Sequence, residues 1–111
     1  MMETIETTIL KNLIHNDEYS RKVLPFINKE YFETYHEKII FEEVLNFITK
    51  YNNLPTKETL IIEAEKRTDI VEDVFKEVCE YVNTLEKTPS DQQWLLDTTE
   101  KWCKDRAIYL A

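Results

Sequence analysis

Apolar residues recur along most of this chain every three to four positions, which is the spacing of helices with one buried face. The first such stretch is 4–15, and Asn16 and Asp17 after it suit the start of a second helix. That helix is predicted to reach about Ile27, with Pro25 bending or ending it. The apolar face of the first helix consists of Ile5, Ile9, Leu10, Leu13 and Ile14.

The middle of the chain contains the longest predicted helix. Asn28 favours a short turn before it, and Thr34 with Glu37 forms a T-x-x-E capping box at its start. The helix is expected to end near Tyr51, because the loop 52–55 is a clear break. Thr56 then predicts the start of the next helix.

Two further helices are predicted at the C-terminal end, over 69–87 and 91–111. Thr68 and the acids after it favour the first start, while Ser90 and Gln93 form an S-x-x-Q capping box for the second. Their similar lengths and short connection predict an antiparallel helical hairpin. The expected fold is all-α, with five to seven helices in a single domain: a compact multi-helix body over 4–67, followed by a hairpin over 69–111. The body core is predicted to contain Ile9, Leu13, Phe32, Ile40, Phe41, Val44, Leu45 and Ile48.

Composition excludes several functions for these 111 residues. The chain has no glycine, so it contains no Gly-rich phosphate loop and no dinucleotide fingerprint. Its formal net charge of −8 argues against direct binding of duplex DNA, which depends on basic side chains. No apolar run is long enough for a membrane span. We therefore expect no cofactor, no duplex DNA partner, no membrane association and a cytoplasmic location.

The chemically reactive side chains are few and scattered. His36 is predicted to be a packing residue and His15 to lie at a helix end, and neither has neighbours with metal-ligand spacing. Cys79 and Cys103 are expected to be free thiols in a reducing compartment. No nucleophile and base are paired, so a small helical enzyme is the least favoured function, and we predict neither a catalytic nor a metal site.

The chain resembles the N-terminal domain of DnaB-type replicative helicases over roughly residues 8–111. The resemblance depends on His36-x-x-Ile-Ile-Phe41 after Phe32, followed by a long helix and the turn Leu54-Pro55 before Thr59-Leu60. It continues, in order, with Trp94-Leu95, Thr99-Glu100-Lys101 and Arg106-Ala107. Within that family the chain most resembles the helicase subunits of T-even phage primosomes.

The resemblance implies a function in DNA replication. Such a domain is the non-catalytic collar of a hexameric helicase, where it mediates subunit association and docks primase. The NTP-dependent unwinding module would lie elsewhere in the longer protein, because no Walker A segment occurs in this chain. For a phage-encoded protein the location would be the host cell cytoplasm.

The predicted hairpin has more apolar positions than a small body requires, so it is our candidate for the association surface. The candidate interface residues are Val78, Val82, Leu85, Leu95 and Trp102. Trp94 and Trp102 are eight residues apart and are expected on nearly the same side of the last helix. They suit either an interface or a seal between the hairpin and the body. The alternative function is a free-standing acidic helical adaptor or inhibitor protein.

The last residues leave two possibilities open. The final helix carries no C-cap signal before Ala111. This pattern fits a short docked terminal helix or a fragment of a longer protein, and the sequence does not decide between them.

Overall fold

The computed structural model describes residues 3–111, which form six α-helices and two single 3-10 turns. The turns Leu24–Phe26 and Lys29–Tyr31 connect the second helix to the third. The described residues include no β-strand, so the all-α prediction is confirmed. The helices are α1 (Ile5–His15), α2 (Asp17–Val23), α3 (Tyr35–Tyr51), α4 (Lys57–Glu65), α5 (Glu72–Asn83) and α6 (Gln92–Leu110).

Short polar side chains begin most of these helices as the sequence predicts. The Thr34 hydroxyl accepts from the Glu37 amide at 3.3 Å and donates to the Glu37 carboxylate at 2.7 Å. The side chains of Asn16 and Thr56 accept from the amides of Tyr19 and Thr59 at 3.1 Å. Each bond satisfies an amide that has no partner within its helix.

Asn52 ends α3 in the left-handed conformation, with φ of 55°. Glycine is the usual residue for this position, but the chain has none, and asparagine is the next most tolerant residue. Arg21 donates to the Asn52 side-chain oxygen at 2.8 Å and to its carbonyl at 2.9 Å. These bonds connect the end of α3 to α2.

The start of α5 differs from the prediction. The helix begins at Glu72, after an N-cap at Val71 that makes no side-chain hydrogen bond, rather than at Thr68. Arg67 holds the preceding segment in a loop by binding both carboxylate oxygens of Asp69, at 2.9 and 2.8 Å, and Glu43 at 2.7 Å. The nearby Arg67 guanidinium lowers the pKa of Asp69. Asp69 therefore stabilises the loop before α5 and not the first turn of α5.

The N-cap of α6 lies one residue later than predicted. Asp91, not Ser90, is the N-cap, and its carboxylate accepts from the Trp94 amide at 2.9 Å. Asp91→Ala is expected to reduce the free energy of unfolding by about 1 kcal/mol, because this amide loses its partner. Urea unfolding followed by circular dichroism would measure the loss. Ser90→Ala is the matched control, and an equal loss in both variants would contradict the assignment of the cap.

The core takes buried residues from all six α-helices, and most of its predicted members are confirmed. Leu45 is an exception, since 38% of it is exposed, and Ile48 is only half-buried. Ile48 still packs against the edge of the core cluster. The confirmed residues are Ile9, Leu13, Phe32, Ile40, Phe41 and Val44.

The two C-terminal helices pack differently from the predicted hairpin. Helix α5 packs mainly against α3 and α4, whereas α6 packs mainly against α2 and the 3-10 turn Lys29–Tyr31. The apolar face of each helix is therefore covered by the body and not chiefly by the other helix. Whether 4–67 and 69–111 are separate folding units stays a prediction.

Candidate interaction surface

The five residues predicted to form an interface are core residues in this structure. Val78, Val82, Leu85, Leu95 and Trp102 are all buried, and their relative exposures range from 0 to 6%. The physical reason is that α5 and α6 pack on the body, which covers the apolar residues that the sequence analysis assigned to an interface. A surface for a partner must therefore consist of other residues.

Polar contacts hold two of these residues in place. The Trp102 indole donates to the Glu6 carboxylate at 3.1 Å and packs edge-on against Tyr31 at 5.8 Å between ring centroids. A ring nitrogen of His15 lies 2.7 Å from the Leu85 carbonyl oxygen. His15 is in the last turn of α1, as predicted.

An apolar groove runs between α2 and α6, with a volume of about 580 Å³. Phe26 stands at its edge with 72% of its surface exposed. Sequence reasoning missed this surface because its residues belong to three separate segments. The lining consists of Lys22, Val23, Phe26, Tyr31, Leu96, Thr99, Glu100, Cys103, Lys104 and Ala107.

Two hydrogen bonds fix the width of this groove. The buried hydroxyls of Tyr19 on α2 and Thr99 on α6 are 2.6 Å apart, and burial raises the pKa of Tyr19. Near the other end, Arg106 donates to the Tyr31 carbonyl oxygen at 2.8 Å. The groove is therefore a preformed feature of the fold.

Cys103 contributes a thiol to the groove wall. Burial raises its pKa to about 11, and the pKa of Cys79 is also raised by burial. Both cysteines are free and half-buried. A raised pKa keeps a thiol protonated near neutral pH, which makes it a poor nucleophile.

The two tryptophans of α6 do not share a side of the helix. Trp102 is buried, but 53% of Trp94 is exposed. Eight residues correspond to about 80° of rotation beyond two full turns, because an α-helix has about 3.6 residues per turn. Trp94 is thus free to contact solvent or a partner.

The described residues contain little that resembles a catalytic or metal centre. His36 packs against the Tyr81 ring, with 4.9 Å between centroids, and its Nδ1 atom is 3.6 Å from the Glu77 carboxylate. Tyr81 donates to the buried Glu37 at 3.0 Å. Within residues 3–111, no group of three or more His, Cys, Asp or Glu side chains is arranged to hold a metal ion. No helix in that range combines the length and apolar character of a membrane span.

The chain is thus an all-helical domain with a preformed apolar groove, and comparison with known proteins connects it to DNA replication. It is 30% identical over 103 residues to the protein described as "DnaB-like replicative helicase" from Enterobacteria phage T4. The match covers 93% of this chain but only 22% of the T4 protein. No protein-family model and no solved structure matches the chain. The predicted resemblance to DnaB-type replicative helicases is confirmed, and the chain is a helicase-related domain.

Proposed function

We propose that this chain is the non-catalytic collar domain of a hexameric replicative DNA helicase. In this role it mediates association between subunits and docks primase within the primosome. The observation that carries the proposal is the match to a replicative helicase over nearly the whole chain, although it covers only about a fifth of that protein. Unwinding would belong to the rest of such a helicase.

The surface of the domain supports a binding role. Large apolar side chains are exposed on α6 and beside the groove, and exposed apolar surface of this kind is typical of interaction sites. The net charge of −8 favours a protein partner over a nucleic acid backbone. A primase, which itself binds nucleic acid, is a suitable partner for an acidic surface.

Titration of the folded chain with the primase encoded in the same genome tests the docking role directly. We expect saturable binding in isothermal calorimetry, weakening as salt rises because the chain is acidic. A destabilised chain with an acid in the core, Val82→Glu, is the matched negative control. It adds one charge and is expected to lose the fold, because Val82 is fully buried.

The two parts of the proposal have separate outcomes. If the folded chain gives no binding signal with primase, the docking role is ruled out. That result would favour the alternative of a free-standing acidic adaptor or inhibitor. Sedimentation equilibrium of the same chain measures self-association independently. A strictly monomeric chain at all concentrations would argue against the collar role.

A further inference from the structure

The groove between α2 and α6 has the shape of a binding site for a helix. On its α6 wall, Leu96 and Cys103 are seven residues apart, and Ala107 follows four residues later. Residues at these intervals lie in a nearly straight row along one side of a helix. The opposite wall is α2, with Val23 beside the groove. A row of small and medium apolar side chains between two helices accommodates the side chains of a third.

A second row of residues lies on the outer side of the same helix. Trp94, Lys101 and Ile108 are also seven residues apart. Their row points about 160° away from the row of Leu96, which is nearly the opposite side of the helix. Trp94 is 53% and Ile108 75% exposed. Asp97 and Asp105 flank this row. We call Trp94, Lys101 and Ile108 the outer row.

The charges of the groove and the outer row are complementary. The groove has Lys22 on one wall and Lys104 on the other, and both ammonium groups are largely exposed. The acids beside the outer row could pair with these lysines. Conversely, Lys101 in the outer row has a counterpart in Glu100, which lines the groove. Lys22 forms an exposed ion pair with Glu18 within its own chain. Such pairs contribute little to stability, so replacing this one by a contact between chains costs little free energy.

We propose that the groove binds the outer row of α6 from a second copy of this chain. The inference rests on the proposed subunit association and names its surface. Because groove and outer row lie on different sides of the domain, the contact is heterologous. Each copy therefore offers one free groove and one free outer row, which is the arrangement that generates rings or filaments.

Cross-linking between two singly labelled chains tests the geometry. Both carry Cys79→Ser and Cys103→Ser; one adds Lys101→Cys in the outer row, and the other adds Ala107→Cys in the groove wall. With a short bis-maleimide, we expect the mixed pair to form more conjugate than either chain alone. The matched control replaces Lys101→Cys by Glu80→Cys, an exposed position on α5.

Two cross-linking results would overturn the proposal. One is equal conjugation by the outer-row chain and the Glu80→Cys control, which would indicate random collision. The other is preferential conjugation within either chain alone, which would indicate a symmetric contact. Circular dichroism of every variant must match the parent before the yields are compared.

Sedimentation equilibrium separates this inference from the proposed function. Trp94→Ala should weaken self-association about tenfold, as truncation of an interface anchor does. Val71→Ala removes an apolar side chain that is 66% exposed elsewhere and should leave association unchanged. If the chain associates but Trp94→Ala has no effect, the outer row is not the contact, while the collar role remains. If the parent chain never associates, both the contact and the association part of the collar role fail, and primase docking is judged by its own titration.

Discussion

Val82→Glu is expected to prevent this domain from folding at room temperature. Val82 is fully buried, with 0% exposure, in the cluster where α5 packs on the body. A carboxylate there would lose its hydration inside an apolar cluster, at a cost of several kcal/mol. The net stability of a domain is typically about 5–15 kcal/mol, so the loss is comparable to the whole. Far-ultraviolet circular dichroism and thermal melting would measure it.

The matched control is Ile108→Glu, which adds the same charge to an exposed position on α6. We expect this variant to retain a parent-like melting curve. Cooperative melting of Val82→Glu at the parent temperature would show that the side chain is not in the core. This expectation reverses the one from sequence, in which Val82 was an exposed contact between subunits.

The sequence predicted the local features of the fold well, because these depend on few neighbouring residues. Thr34, Thr56 and Asn16 cap the helices that follow them, as expected from short-range hydrogen bonding. Helix α3 ends at Tyr51, as predicted from the loop 52–55. Such signals lie within one turn of helix and do not depend on the rest of the fold.

The sequence could not show in the same way which element packs on each apolar face. Periodicity shows that α5 has an apolar side, but it does not show which helix covers it. The sequence assigned that side partly to a subunit interface, whereas α3 and α4 cover it in the structure. The expectation that Trp94 and Trp102 share a side had a different cause, because eight residues leave about 80° between them, and only Trp102 is buried.

A signal for the groove was present in the sequence but was ambiguous. Leu96 and Cys103 have the seven-residue spacing of a helix–helix contact, yet the buried residues Leu95 and Trp102 have it too. Both rows are consistent with a buried face when α6 is considered alone. Only the position of α2, which is hydrogen-bonded to α6 through Tyr19 and Thr99, shows which of the two rows is buried and which one lines the groove.

Phe41→Ala is expected to reduce the free energy of unfolding by about 3–5 kcal/mol. Phe41 is 1% exposed and packs against Phe32, with ring centroids 5.4 Å apart. Phe32 in turn contacts Trp102 on α6 at 5.1 Å. Removing the ring leaves a cavity at the point where α3 meets this aromatic cluster.

Phe26→Ala is the matched control for this measurement, since it removes the same ring from a site that is 72% exposed. Its expected loss is within about 0.5 kcal/mol, the usual range for surface substitutions. Urea titrations of the parent and both variants, analysed with a common dependence on denaturant, give the two differences. A loss under about 1 kcal/mol for Phe41→Ala would contradict its place in the core, because fully buried phenylalanines cost more than that to truncate. A loss of several kcal/mol for Phe26→Ala would instead show that the groove edge is part of the core, and a partner could not then reach it.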